Sequence, residues 1–271
     1  MSIITHKPQT TRHRIIGILS TDEYQIVFSD TPGYIRKPAY KMHEAMNQFV
    51  RSTFEDSDVM LFVTEPSEQY EEEDELFEKL KKIDTPLFLV INKIDLIDKA
   101  TLSGLFEFWT SRIPNFKKAL GISALKKDKT EALLQHIIEF LPEGPEYYPS
   151  DQLTDRPERF FVSEIIREKI LLNYRDEIPY ACEVIIDSFK ETITTKGEPI
   201  TRINALIYVA RETQKSILLG KEGIAMKKLG TDSRKDMETF LQTRVFLEMT
   251  VKVRDNWRDD EKQLKNFGYS V

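Results

Sequence analysis

Two apolar runs in this chain end in short polar signatures. Residues 24–29 lead into Asp30-Thr31-Pro32-Gly33, and residues 86–91 lead into Asn92-Lys93-Ile94-Asp95. The second run is apolar without a break, which fits a strand buried on both faces and therefore a parallel sheet covered by helices. The surrounding pattern agrees. Residues 12–19 and 24–29 read as two strands of a hairpin turned at 20–23, 42–54 as an amphipathic helix, and 59–64 as a strand. Residues 72–83 read as a charged helix that starts in the acidic cluster 71–75, 101–112 as a helix, 119–122 as a strand and 130–141 as a helix. Strand and helix in alternation imply an α/β domain with crossover helices. Pro142, Gly144, Pro145, Pro149 and Pro157 then break the rhythm. The expected division is a first domain over 1–145, a linker over 146–157 and a second domain over 158–271.

The second domain has another order. Residues 159–174 form an amphipathic helix. Residues 181–189 and 202–209 alternate as antiparallel strands joined near Lys196-Gly197. Helices over 213–219 and 224–241 flank Gly220-Lys221-Glu222-Gly223, and 245–253 is a third strand. A Gly-x-x-Gly loop between two helices in an α-β-β-α-α-β order matches the loop by which KH domains clamp a nucleic-acid backbone. Lys215, Lys221, Lys227 and Lys228 surround it, and Glu222 works against it by placing a negative charge there. Ile217, Leu218, Leu219 and Ile224 fit either the floor of a base-binding cleft or ordinary core.

Composition narrows the classes. The chain of 271 residues carries a net charge of −6, which argues against indiscriminate nucleic-acid binding. That average hides a polarity. Residues 211–254 hold ten Lys/Arg against six Asp/Glu, and residues 65–78 hold eight acids and no base. One cysteine, Cys182, excludes a disulfide framework and a cysteine-based zinc site. The apolar runs are too short for a membrane span. The four histidines, His6, His13, His43 and His136, are scattered and read as surface or locally satisfied side chains.

The polar signatures carry chemistry. A carboxylate placed as in Asn-Lys-x-Asp accepts both N–H groups of a guanine edge, which adenine does not offer. The plainer alternative is that Asp95 caps a following helix. In Asp-Thr-Pro-Gly, the acid reaches toward a magnesium ion and the glycine N–H toward a γ-phosphate; a simple turn uses the same residues. Ser123-Ala124, after the strand over 119–122, stands where a backbone contact to the base belongs. Thr10 and Thr11 stand where a switch threonine would bind magnesium. No side chain reads as a catalytic acid, base or nucleophile.

Taken together, residues 7–14 (Lys-Pro-Gln-Thr-Thr-Arg-His-Arg), Asp30–Gly33, Asn92–Asp95, residues 122–124, residues 163–169, the Gly-x-x-Gly loop, residues 234–237 and residues 251–257 resemble the Era family of bacterial ribosome-assembly GTPases over essentially the whole chain. The resemblance implies a P-loop-type GTPase domain followed by a type II KH domain, with GTP or GDP and Mg2+ as cofactors. It implies binding near the 3′ end of 16S ribosomal RNA, a role in maturation of the 30S subunit, and GTP state controlling access to that RNA. It implies a cytoplasmic, monomeric protein that also associates peripherally with the cell membrane. By that mapping Thr11 and Asp30 hold the metal, Thr10 being the second choice. Asp30, Thr31, Pro32 and Gly33 read the γ-phosphate, and Asn92, Lys93, Asp95, Ser123 and Ala124 read guanine. Gly220, Lys221, Glu222, Gly223, Lys215, Lys227 and Lys228 contact RNA. Tyr34 replaces the water-orienting glutamine of Ras-like enzymes, so slow intrinsic hydrolysis is expected. The alternative is an RNA-binding protein or chaperone that works through its KH half without nucleotide.

No Gly-x-x-x-x-Gly-Lys-Ser/Thr occurs in these 271 residues. The family places that loop, and the first strand of the sheet, ahead of residues 2–5. The expectation is therefore an N-terminally truncated GTPase domain. It would bind GTP poorly and lack the strand that lies between those ending at Asp30 and Thr64.

Overall fold

The computed structural model describes residues 2–68 and 75–269. In chain order the elements are β1 (Ile15–Ser20), β2 (Gln25–Asp30), α1 (Lys41–Asp56), β3 (Met60–Thr64), α2 (Glu75–Leu80), β4 (Leu87–Ile91), α3 (Lys99–Arg112), β5 (Phe116–Gly121) and α4 (Thr130–Ile138). They continue as α5 (Glu158–Asn173), α6 (Ile178–Ala181), β6 (Glu183–Ile193), β7 (Pro199–Val209), α7 (Glu212–Leu219), α8 (Ile224–Leu241), β8 (Arg244–Val253) and α9 (Glu261–Asn266). The acidic start expected for the second helix, residues 71–74, lies outside the described residues. The chain divides into two compact units, one of residues 1–19, 26–50 and 151–271, the other of 20–25 and 51–150.

This division differs from the boundary expected at residue 145. Residues 1–19 and 26–50 belong with the C-terminal domain, and the reason is packing. The fold class agrees with expectation, an α/β GTPase-type domain followed by an α+β KH-type domain, but the segments that carry Thr11 and Asp30 are built into the second. Among the described residues β1 and β2 form a two-stranded sheet, and β3, β4 and β5 form a separate one.

In the unit of residues 51–150, β4 is central and pairs in parallel with β3 and β5. Every residue of β4 is buried, as its unbroken apolar run requires. Leu87, Leu89 and Ile91 meet Phe77 and Leu80 of α2 and Trp109 of α3, while the Phe88 ring meets Phe140 at 5.1 Å. Helices thus connect parallel strands, and both polar signatures of this unit emerge from the ends of β4 and β5.

In the other unit, β7 is central, antiparallel to β6 and parallel to β8. Its residues alternate. Ile203, Ala205, Ile207 and Val209 face a core with α5, α7 and α8, including Val162, Ile166, Leu218 and Leu229. Leu206 and Tyr208 face the opposite way, into a second core of Met42, Ala45, Met46 and Phe49 from α1 and Trp257, Leu264, Phe267 and Tyr269 from the C-terminal segment. The start of α1 is also tied by its backbone: Met42 N donates to Arg258 O at 2.9 Å, and Lys41 N to Asp259 at 3.1 Å. This is why the helix following Asp-Thr-Pro-Gly joins the C-terminal unit.

Strand β1 begins three residues later than its alternation suggests, because Arg12 and His13 turn inward. Both are buried. His13 shares its Nε2 with Phe267 O at 3.1 Å and packs 4.5 Å from the Tyr269 ring. Burial lowers its pKa below the ordinary 6.5, and burial likewise lowers that of His43. A depressed histidine pKa contributes stability that is whole above 6.5 and is lost as pH falls through the folded value. Unfolding by urea at stepped pH is therefore expected to give a stability that declines as pH drops from neutrality toward 5, with a shallower decline in His13→Phe. A profile unchanged by that substitution would contradict a neutral, buried His13.

Candidate nucleotide and RNA sites

The residues expected to read guanine assemble at the ends of β4 and β5. Asn92 N donates to Thr64 O at 2.8 Å, and its side-chain oxygen accepts from Lys93 N at 2.8 Å and Ala124 N at 3.0 Å. One amide thereby pins the two loops together. Lys93 takes a left-handed φ of 60° and pairs with Glu65 at the end of β3. Asp95 does not cap the next helix; Asp98 does so, accepting from Thr101 N at 2.7 Å. The Asp95 carboxylate is instead engaged by its own backbone and by the Ser123 loop. The Ser123 hydroxyl is the main influence holding its pKa below the usual carboxylate range, with Lys126 Nζ 3.8 Å away. Gly121 eases this closeness: a Cβ there would lie 3.0 Å from Ile94 Cγ2 and push on that side chain. Glu65, Gly121 and Lys126 were not legible as site residues, since none belongs to a recognisable spacing.

The switch residues lie in the other unit. Thr11 Oγ1 donates to Asp30 Oδ2 at 3.3 Å, placing a hydroxyl and a carboxylate side by side. Thr10 is occupied elsewhere, its hydroxyl bonding Lys7 O at 2.7 Å and Thr5 Oγ1 at 2.6 Å. A Cβ on Gly33 would meet nothing within 4 Å, so packing does not demand glycine there. After Gly33 the chain is held by Asn47 of α1, which donates to Ile35 O and accepts from Ile35 N, each at 2.8 Å. His43 joins the two segments, accepting from Ala39 N at 3.2 Å through Nδ1 and meeting the Gln9 amide at 3.3 Å through Nε2. Nothing in the sequence marked Asn47 or His43 as more than apolar-helix companions.

The glycine-framed loop needs its glycines. Gly220, Glu222 and Gly223 have φ of 70°, 54° and 75°. A Cβ on Gly220 would come within 2.6 Å of Ala225 Cβ. Beyond the loop, α8 and β8 enclose a cleft of about 350 Å³ lined by Met226, Lys227, Gly230, Thr231, Arg234 and residues of β8 including Phe246 and Met249. Gly230 lets the helix and strand close in, since a Cβ there would lie 3.1 Å from Met249 Cε. The apolar residues around the loop divide: Leu218 is core, whereas Ile217 and Ile224 are 51% and 65% exposed. Lys221, Lys227 and Lys228 are exposed and Lys215 is half-buried, and of these Lys227 lines the cleft. The arrangement suits a phosphate backbone at the loop and bases in the cleft.

These features fit a GTPase-type domain followed by a KH-type domain. A family profile described as a 50S ribosome-binding GTPase matches residues 1–93, and one described as a KH domain matches 177–258. "GTPase Era" of Syntrophus aciditrophicus is 44% identical over 271 residues, covering all of this chain and 87% of that protein. "GTPase Era" of Caldanaerobacter subterraneus is 42% identical over all of this chain and 90% of its own length. The solved structure of Era in complex with MgGDPNP and nucleotides 1506–1542 of 16S ribosomal RNA is 33% identical, with a TM-score of 0.93 over 100% of this chain and 90% of that one. A single-site variant of Aquifex aeolicus Era bound to GDP·AlF4− gives 0.91 at 32% identity, over 100% of this chain and 91% of that one. The chain belongs to the Era family of GTPases.

The two loop glycines are expected to differ. Gly223→Ala pays only for the left-handed backbone, about 1–2 kcal/mol, because its Cβ meets nothing. Gly220→Ala adds the collision with Ala225 and should cost more. Chemical denaturation of both variants checks this ordering; equal losses would contradict the loop geometry.

Proposed function

We propose that the chain is a GTP-binding and GTP-hydrolysing assembly factor that binds the 3′ end of small-subunit ribosomal RNA and assists maturation of the 30S subunit. The observation that carries the reading is Asp95, a carboxylate that does not cap the following helix and is bonded by the Ser123 hydroxyl, on the same chain as a Gly-x-x-Gly loop followed by a cleft between α8 and β8. Hydrolysis would add water to the γ-phosphorus and release GDP and phosphate. In this reading Asn92, Lys93, Asp95, Ser123 and Ala124 hold guanine. Thr31, Pro32 and Gly33 face the γ-phosphate.

The pair of hard oxygens at Thr11 and Asp30 fits Mg2+, which prefers such ligands. Bound there, the ion would neutralise charge on the β- and γ-phosphates. The occupied hydroxyl of Thr10 supports Thr11 as the ligand. Gly220, Lys221 and Gly223 would clamp RNA phosphates, with Lys215, Lys227 and Lys228 adding positive charge and Glu222 working against it. No helix among the described residues is long and apolar enough to cross a membrane. A cytoplasmic, monomeric protein with peripheral membrane contact is carried over from the resemblance alone.

One pair of variants separates this function from nucleotide-independent RNA binding. Asp95→Asn should lower affinity for guanine nucleotides at least about a hundredfold and favour xanthine nucleotides, since the donor and acceptor exchange places. Gly223→Asp with Lys221→Glu should lower affinity for a 16S 3′-end oligonucleotide about tenfold or more, with nucleotide affinity unchanged. Guanine affinity indifferent to Asp95→Asn would overturn the first assignment, and unchanged RNA affinity the second.

A further inference from the structure

The segment that bears Thr10 and Thr11 is gripped by side chains of the RNA-binding domain. Arg167 of α5 donates through Nη1 to Gln9 O at 3.2 Å and through Nη2 to Thr10 O. Its Nε donates to Glu164 Oε1 at 2.7 Å, so one guanidinium spans a helix and the switch backbone. Two residues on, Arg12 runs the opposite way, from the switch into the domain. It donates to Cys182 O at 2.7 Å, Pro179 O at 3.1 Å and Glu183 Oε2 at 3.2 Å. The Tyr269 hydroxyl completes that carboxylate at 2.7 Å. Arg12 and Arg167 are 0% and 1% exposed. Burial works against charge at Glu164, yet Arg167 beside it holds the carboxyl below its ordinary pKa.

A network like this is a poor way to gain stability, because burying the charges cancels most of their attraction. It is also incompletely satisfied, as Arg12 Nε and His13 Nδ1 are buried without a protein partner. What it does supply is position. Two carbonyls immediately before Thr11 and the side chain immediately after it are fixed from outside the segment, and Thr11 Oγ1 between them lies 3.3 Å from Asp30 Oδ2.

We propose that Arg167, with Arg12, is a positioning residue for the nucleotide switch: the RNA-binding domain holds Thr11 in the place from which it ligates the metal of a bound triphosphate. The grip itself is independent of any ligand; the step to the triphosphate rests on the function proposed above. By linkage, whatever loosens the grip costs affinity for the state that needs Thr11, the Mg2+–triphosphate complex, and leaves the diphosphate complex alone.

The test uses the full chain and two variants. Arg167→Lys keeps the charge and loses the fork to two carbonyls. Glu164→Gln with Arg167→Met replaces the ion pair by neutral groups of similar size, which preserves folding where a single truncation strands a charge. Amide hydrogen exchange is followed at residues 9–14 and, for reference, at Ile203 and Val251 in the sheet. Exchange at 9–14 is expected to quicken about tenfold or more with the sheet unchanged. Affinity for the Mg2+ complex of a non-hydrolysable GTP analogue should fall about tenfold with GDP affinity constant. Unaltered exchange at 9–14 in both variants, or equal loss of both nucleotides, would overturn the proposal. Failure of the unmodified chain to bind the analogue would agree with the absence of a Gly-x-x-x-x-Gly-Lys-Ser/Thr loop from these residues and overturn the step to the triphosphate, and the exchange data would still decide the grip.

Discussion

Arg12 and Arg167 point past each other, one leaving the threonine segment and one entering it, and both are sealed from solvent. Each guanidinium brings several donors in a rigid fork, so each can engage more than one carbonyl at once. A buried charge with these partners has little freedom to move without leaving donors unsatisfied. The consequence is that residues 9–13 behave as part of the KH-type domain. The apolar core formed by α1, the C-terminal segment and the outer face of β7 does the same for the residues after Gly33. Both segments that would sense a γ-phosphate are thus built into the domain that would bind RNA.

The other sites rest on backbone placed where side chains are scarce or costly. Asn92 uses one oxygen to hold two amides, Gly121 leaves room for Ile94, and Gly220 leaves room for Ala225. Lys93 and Glu222 accept left-handed backbones that most residues avoid, at positions where the loop has to turn toward its ligand. Such strain is held by the rigid elements on either side, β4 in one unit and α7 and α8 in the other.

Much of this was legible in the sequence. The unbroken run of β4, the alternation in β7 and the helix over 224–241 follow from local periodicity, and the structure places them where that pattern does. The motif residues Asn92, Ser123 and Ala124 meet as their order suggests. Local pattern failed where long-range contacts decide. Arg12 and His13 look like polar positions of a strand, and nothing near them in sequence announces partners at residues 182, 183, 267 and 269. The short helices α6 and α9 were missed for the same reason, since Ala181 and Leu264 owe their burial to Trp257 and its core. The expected boundary at 145 followed the proline-rich stretch, which marks a real break at 150, but proline content says nothing about which segments pack together.

The segments of Thr11 and Asp30 belong to the same compact unit as the Gly-x-x-Gly loop, which would couple the γ-phosphate to RNA. The direct measurement is a thermodynamic cycle on the intact chain: affinity for a 16S 3′-end oligonucleotide with the Mg2+–GTP analogue, with GDP and with neither, and the reciprocal nucleotide affinities with RNA present. The account predicts that RNA affinity differs between triphosphate and diphosphate states by about tenfold or more, and that RNA shifts the nucleotide preference by the same factor. RNA affinity identical in all three states would contradict it.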